Sequence, residues 1–293
     1  DDNWKFQLHS LWYVLDLVAA TSITSDTTYQ DRAMVLLQDW YEDNPRVGAP
    51  SIWSWNDHST ALRAIVYSCV AALVGMPDWL RAALVLHGQT LADPSFYDGG
   101  GNHALNQDVG LLEVGRVLGR LDWMDLAATR INALIGASVD TQGVTNEQSV
   151  GYEQYNYSRY SVARQRLVDV GLTPASAFAR LDLMPNFMAM ATLPTGHFEM
   201  IGDTQDQLAP NIPGTWLEYA STRGASGPKP SQVARYNAGY LFVHHGWGET
   251  RAAVDETFWS TKWGPAPIYH GHADGLELTL ASYGSRLLVD PGL

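Results

Sequence analysis

The hydrophobic period changes once along this chain, and that change limits the folds open to it. Up to about residue 192 the apolar residues recur at helical spacing, and from Tyr236 they alternate. "WKFQLHSLWYVLDLVAA" and "TTYQDRAMVLLQDWYED" place apolar side chains at i, i+3, i+4 and i+7, the second ending on the breaker cluster "NPRVGAP". "DHSTALRAIVYSCVAALVG" opens on an Asp/Ser/Thr choice of N-cap and closes on glycine, and "PDWLRAALVLHGQTLAD" opens on proline and aspartate. "NHALNQDVGLLEVGRVLGRL", "DWMDLAATRINALIGASV", "YNYSRYSVARQRLVDVG" and "PASAFARLDLMPNFMAMATL" continue the pattern. About eight helical segments on short connectors make antiparallel neighbours. Such a run forms an α/α toroid or an α-solenoid, and the lack of a repeat at fixed period favours the toroid.

"PTGHFEMIGDTQDQLAPNIPG" then reads as loop, "TWLEYASTRG" as one more short helix, and "ASGPKPSQ" as a linker. "GYLFVHHGWG", "AVDETFWSTKWG" and "LELTLASYGSRLLVD" read as strands. In the last, Leu276, Leu278 and Leu280 share a face, "SYGS" turns the chain, and Leu287 and Val289 return. Helices followed by antiparallel strands make an α+β multidomain chain, divided here into residues 1–230 and 231–293. A sheet that stops on a newly completed hairpin is expected to continue. The start "DDNWKF" reads as a mature or trimmed chain, and the whole as the N-terminal portion of something longer.

At 293 residues and 46% hydrophobic, the chain can bury a large core. A formal net charge of −13 argues against general binding to nucleic acid or anionic membranes. It leaves open a polyanionic substrate in a locally basic cleft. No run is long and apolar enough for membrane insertion. The one cysteine, Cys69, forms no intrachain disulfide and reads as a buried small hydrophobe. The 11 tryptophans and 14 tyrosines, with only 17% charged residues, are a composition common in proteins that handle sugars, although core packing accounts for most of the rings.

Three stretches could hold chemistry. In "YDGGGNHALNQDVG" three glycines lead into Asn102, His103 and a helix start, which can hold an anion on free N–H groups or be a plain turn with Asn102 as N-cap. In "TNEQSVGYEQYNYSRY" four tyrosines, Tyr152, Tyr155, Tyr157 and Tyr160, are interleaved with Glu147, Glu153 and Arg159. A tyrosine there can exchange a proton if a neighbouring cation lowers its pKa. In "HGHADG" the i and i+2 imidazoles of His270 and His272 can share a face, and Asp290 comes back at the same end of the hairpin. His272 and Asp290 are nitrogen and oxygen donors suited to zinc, but two ligands are too few. His58 with Arg63, His197 with Asp203, and the His244–His245 pair read as structural.

These stretches, with the "P…IGD" loop, "AGYLFVHHGW" and "HGHADGLELTLASYGSRLLVDPG", resemble the heparinase II/III-like polysaccharide lyases, a superfamily that includes alginate- and other uronate-cleaving members. The resemblance runs from about Ser51 onward, and its last motif is the most specific. It implies an incomplete (α/α) toroid followed by an antiparallel β-sandwich domain that this chain only begins. It implies β-elimination on an anionic polysaccharide containing uronic acid, of glycosaminoglycan or alginate type, outside the cytoplasmic membrane, secreted or periplasmic. Matched residue by residue, Asn102 with His103 neutralises the uronate carboxyl, Tyr152 is the acid and can also be the base, and His270 is the base for the other epimer. Arg63, Tyr155, Tyr157 and Arg159 meet the substrate. His272 and Asp290 bind a structural divalent metal, zinc favoured, with a third ligand beyond Leu293. Arg164 and Lys262 are further cations expected along the cleft. Two departures bear on the substrate: Glu153 stands where a histidine commonly follows the tyrosine, and His244 where relatives often have arginine. The competing readings are a toroid glycoside hydrolase using two of Asp57, Asp108, Glu147 and Glu153, and a non-catalytic glycan-binding protein.

Overall fold

A computed structural model describes residues 1–264, 269–273 and 275–292; Asp274, which closes "HGHAD", lies outside the described residues. The helices are α1 (Asp2–Ser10), α2 (Val14–Thr24), α3 (Thr28–Asp43), α4 (Asp57–Val74), α5 (Asp78–Ala92), α6 (Gly101–Leu118), α7 (Leu121–Ser138), α8 (Val150–Asp169), α9 (Met184–Met190) and α10 (Trp216–Ser221). The strands are β1 (Val233–Tyr236), β2 (Tyr240–His244), β3 (Phe258–Lys262), β4 (Glu277–Ser282) and β5 (Ser285–Leu288). They form one antiparallel sheet in sequence order. Helices first and an antiparallel sheet last is the expected α+β order, that of an incomplete toroid followed by the start of a β domain. Among the described residues, no helix is long and apolar enough to cross a membrane.

Local chemistry moves several boundaries. The first expected helix is two, because Leu11 caps α1 in the left-handed conformation at φ 57°. "PASAFARLDLMPNFMAMATL" is a 3₁₀ turn, Ser176–Asp182, followed by α9 with Pro185 in its first turn. Helix α8 starts at Val150, ahead of Tyr155, so Tyr152 lies on it. Strand β1 begins ahead of Tyr236, its short length hiding the alternation.

The chain folds as two compact units, one of Asp1–Leu134 with Gln165–Pro174 and one of Ile135–Arg164 with Ala175–Leu293. In the first, α4 packs on α6. Asn56 caps α4 by accepting from the His58 and Ser59 N–H groups at 3.1 and 3.3 Å. Helix α6 is buried on nearly every side. At Gly110 a Cβ would stand 2.8 Å from the Ala61 carbonyl oxygen, so only glycine lets the two backbones approach this closely. Beneath them Arg63 is 0% exposed. Its guanidinium lies 3.6 Å from the centre of the Trp40 ring and donates to His87 Nε2 at 2.9 Å and to the His9 carbonyl at 2.6 Å. This corrects the expectation that Arg63 meets substrate: it is a core cation. Cys69 is half-buried rather than buried, and burial pushes its thiol pKa up.

In the second unit, Tyr240, Phe242 and Phe258 fill the buried face of the sheet, with Phe187 of α9 set edge-on to Tyr240 and Phe242 at 5.2 and 5.4 Å. The Ser260 and Thr279 hydroxyls pair across β3 and β4 on that same face at 2.7 Å. The leucines of β4 therefore point to the opposite, open face, where Val233, Leu278 and Leu288 are 56%, 50% and 47% exposed. Lys262 is also buried, with Nζ 3.5 Å from the Gln148 carbonyl.

His244 ends β2 inside this core, donating from Nε2 to the Met190 carbonyl at 3.0 Å and stacked on Trp247 at 3.9 Å. Burial pulls its pKa from 6.5 down to about 4. The unfolded chain therefore takes up the proton first. The stability tied to a neutral His244 is complete above pH 6.5 and is lost as the pH falls toward 4. Thermal melts of wild type and His244→Phe over this range are expected to differ by a slope of about 1.4 kcal/mol per pH unit.

Candidate active site

Two polar clusters stand out, one in each unit. In the first, the glycine run is tied to α6 by Gln107, which accepts from the Asp98 N–H and donates to the Phe96 carbonyl, both at 2.9 Å. Gly100 is the N-cap, in extended conformation, so Asn102 lies inside the first turn rather than capping it. Asn102 is buried, and His103 beside it is half-exposed. His103 Nδ1 meets Asp57 Oδ2 at 2.7 Å, and its ring lies 4.3 Å from that of His58, whose Nε2 is 3.0 Å from Asn106 Nδ2. The first turns of α4 and α6 thus share one patch of Asp57, His58, Asn102, His103 and Asn106. Burial pushes the Asp57 pKa up, but the hydrogen bond and charge of His103 outweigh it and hold the carboxyl below its ordinary value.

In the second unit, Ser149 Oγ caps α8 by accepting from the Tyr152 N–H at 3.4 Å. Tyr152, Tyr155 and Arg159 then line one stripe at i, i+3 and i+7, with the Tyr155 ring 5.8 Å from Tyr152 and the Arg159 guanidinium 5.0 Å from Tyr155. Tyr157 falls off this stripe by helical periodicity. The Tyr152 ring stacks flat on His270, with centroids 3.4 Å apart and planes 10° apart. The stacking sets the Tyr152 phenol and the His270 imidazole side by side. The neighbours of Tyr152 are not the expected cation. Burial, then Glu147 and Asp203, push its pKa up, so the phenol is protonated at neutral pH.

His270 sits at φ 40°, a left-handed conformation uncommon for a side chain of its size. Its Nδ1 is 3.0 Å from Asp203 Oδ2 and its Nε2 is 3.9 Å from Glu147 Oε2. His272 faces Asp290 Oδ1 through Nδ1 and Asp203 Oδ1 through Nε2, both at 3.2 Å. Asp203, read from the sequence as structural, therefore lies among both imidazoles. The glycine before it in "IGD" was the available signal. His197 pairs instead with Asp206 at 2.8 Å, in the lining of a cavity of about 320 Å³ that also holds Glu256 and Arg286. None of Tyr152, His270, His272 and Asp290 lines that cavity.

The donor types of His272 and Asp290 fit zinc, and Asp290, almost fully buried, accepts from the Gly202 and Gly292 N–H groups, an outer shell that orients a ligating carboxylate. Among the described residues, no group of three or more histidine, cysteine, aspartate or glutamate side chains is arranged to hold a metal ion. The residues singled out for a hydrolase are mostly inaccessible. Asp108 is buried against Tyr97 and Arg130 with its pKa raised to about 8, and Glu153 is buried, its pKa pushed up by burial, and accepts from the Thr145 N–H at 2.7 Å. Glu147 is buried as well, which leaves Asp57 partly open.

The solved structures that this chain is similar to include heparinase III and a heparan sulfate lyase, by their titles. A crystal structure of heparinase III superposes with a TM-score of 0.80 over 98% of this chain at 18% identity. The chain has the heparinase III fold. A second heparinase III matches over 100% of this chain at a TM-score of 0.73 and 16% identity, and the heparan sulfate lyase HepC from Pedobacter heparinus over 100% of this chain at 0.71 and 19%. The chain spans about half the length of these structures, 50–52%. The sequence matches no protein-family model and no curated protein. The heparinase III fold agrees with the architecture implied by the motifs from Ser51 onward.

Proposed function

We propose that this chain carries out β-elimination on a uronic-acid-containing anionic polysaccharide, leaving a 4,5-unsaturated uronate end. One observation supports this most: a tyrosine held protonated lies flat against an imidazole, so an acid and a base stand side by side on a heparinase III fold. The C5 proton lies α to the uronate carboxylate. His270 Nε2 takes that proton, its electrons form the C4–C5 double bond, the C4–O4 bond breaks, and Tyr152 gives its proton to O4. Asn102, helped by His103, neutralises the carboxyl so that the enolate-like charge can develop. Tyr155 and Arg159, on the same stripe as Tyr152, contact the sugar chain, and Tyr157 is left out of that contact. The substrate favoured by the neighbours' titles is a glycosaminoglycan of the heparan sulfate type.

The proposal extends to a divalent metal, zinc favoured, on His272 and Asp290 with a further ligand from outside the described residues. When bound, it would fix the loop that carries His270. It extends also to a secreted or periplasmic location, where such polymers are met, and to residues 231–293 as the start of a β domain attached to a helical portion, 1–230.

The test is a screen of heparan sulfate, alginate and polygalacturonate for an ultraviolet-absorbing unsaturated product. Reducing ends released without absorbance would mean a hydrolase. Glycan binding without turnover would mean a binding protein. On the substrate that is cleaved, Asn102→Ala is expected to lower kcat by about 10²–10³-fold, the effect of removing one charge-stabilising donor.

A further inference from the structure

We propose that Asp203 is a positioning residue whose two carboxylate oxygens set His270 and His272 at once. Its kinetic consequence rests on the lyase reading, but its structural consequence does not. Oδ2 meets His270 Nδ1 at 3.0 Å and Oδ1 meets His272 Nε2 at 3.2 Å. The backbone adds a second hold, since the Asp203 N–H donates to the His270 carbonyl at 2.7 Å. A side chain and a main chain thus grip the same residue, and that residue sits in a left-handed conformation that needs holding.

The approach depends on the preceding glycine. Gly202 is at φ 63°, and a Cβ there would stand 2.7 Å from the Gln148 carbonyl oxygen and 2.8 Å from that of His270. The following residue anchors the other half of the pair. Thr204 Oγ1 accepts from the Gly151 N–H at 2.9 Å, donates to the Ile201 carbonyl at 2.6 Å, and is 3.0 Å from Ser149 Oγ, the cap of Tyr152. Asp203 and Thr204, adjacent in sequence, therefore index His270 and Tyr152 to one segment.

Each Asp203 oxygen faces an imidazole nitrogen, and a carboxylate oxygen accepts from an N–H. Facing Asp203, His270 must present Nδ1–H, and this leaves the Nε2 lone pair for the C5 proton. Asparagine has the same shape but offers one acceptor and one donor. It cannot accept from both imidazoles, so one ring must change tautomer. A triad aspartate exchanged for asparagine loses activity by this route in serine proteases.

The test is the ¹⁵N spectrum of the imidazoles in the full chain, with His270 assigned by comparison with His270→Gln, for wild type and Asp203→Asn. The expected result is an Nδ1–H tautomer for His270 in wild type and its loss or mixture with Nε2–H in the variant. Alongside it, kcat is expected to fall by about 10²–10⁴-fold with KM within a few-fold, the circular dichroism spectrum being unchanged. A merely structural Asp203 would lower the melting temperature without altering the tautomer. The proposal is overturned if wild-type His270 is Nε2–H, if both His270 and His272 keep their tautomers in Asp203→Asn, or if kcat stays within about three-fold. Should wild type give no unsaturated product, the lyase reading fails, and the spectra alone decide the role of Asp203.

Discussion

Replacing Tyr152 with phenylalanine is expected to lower kcat by about 10²–10⁴-fold on the polymer the enzyme cleaves, with KM changed little. The variant removes one oxygen and keeps the ring, so its stacking on His270 at 3.4 Å and its contact with Tyr155 at 5.8 Å persist. On the proposed elimination, what is lost is the proton for the departing O4. Burial and two carboxylates hold that proton on the phenol at neutral pH, which makes Tyr152 better suited to giving a proton than to taking one. A complementary result is expected from substrates with a more acidic leaving alcohol. They need less protonation and should recover part of the loss in Tyr152→Phe, but none in His270→Ala. Wild-type turnover by Tyr152→Phe would remove Tyr152 from the chemistry and pass the acid role to another group on the stripe.

The largest effect on stability is expected at Arg63. Arg63→Ala should cost about 3–5 kcal/mol, read from denaturant unfolding. The guanidinium is wholly buried, and among the described residues no carboxylate pairs with it. Its charge is held by the Trp40 face at 3.6 Å and by hydrogen bonds to His87 and to the His9 carbonyl. Burial lowers its pKa to about 9, which still leaves it charged at neutral pH. Alanine would open a cavity among Trp40, Trp55 and His87 and strand their polar partners. Arg63→Met keeps most of the volume but not the donors, and should fall between alanine and wild type. If both variants were as stable as wild type, the cation would contribute nothing to the core.

Much of the fold was legible because periodicity is a local signal. The α4, α5 and α6 segments were readable from apolar spacing, and the end of α4 from Gly75. The sheet was legible from Tyr240 onward, while β1 was lost because four residues are too short to show alternation. The motif "HGHADG" pointed to His270 and His272 sharing surroundings, and the structure brings both to Asp203. What was not legible depended on tertiary packing. Arg63 and Lys262 were expected along a substrate cleft, because a side chain's charge says nothing about whether neighbours will desolvate it. Asp203 looked structural because its partners lie 67 and 69 residues away. The raised pKa of Tyr152 is likewise set by Glu147 and Asp203, which no spacing rule connects to it.

The open face of the sheet has a colloidal consequence. Val233, Leu278 and Leu288 form an adhesive strip on a molecule whose formal charge of −13 holds copies apart. At low ionic strength repulsion between copies dominates. As salt shortens its reach to about 8–10 Å, adhesion between strips takes over. Ionic strength is thus expected to set how the protein meets its own kind, with light scattering rising as salt is added.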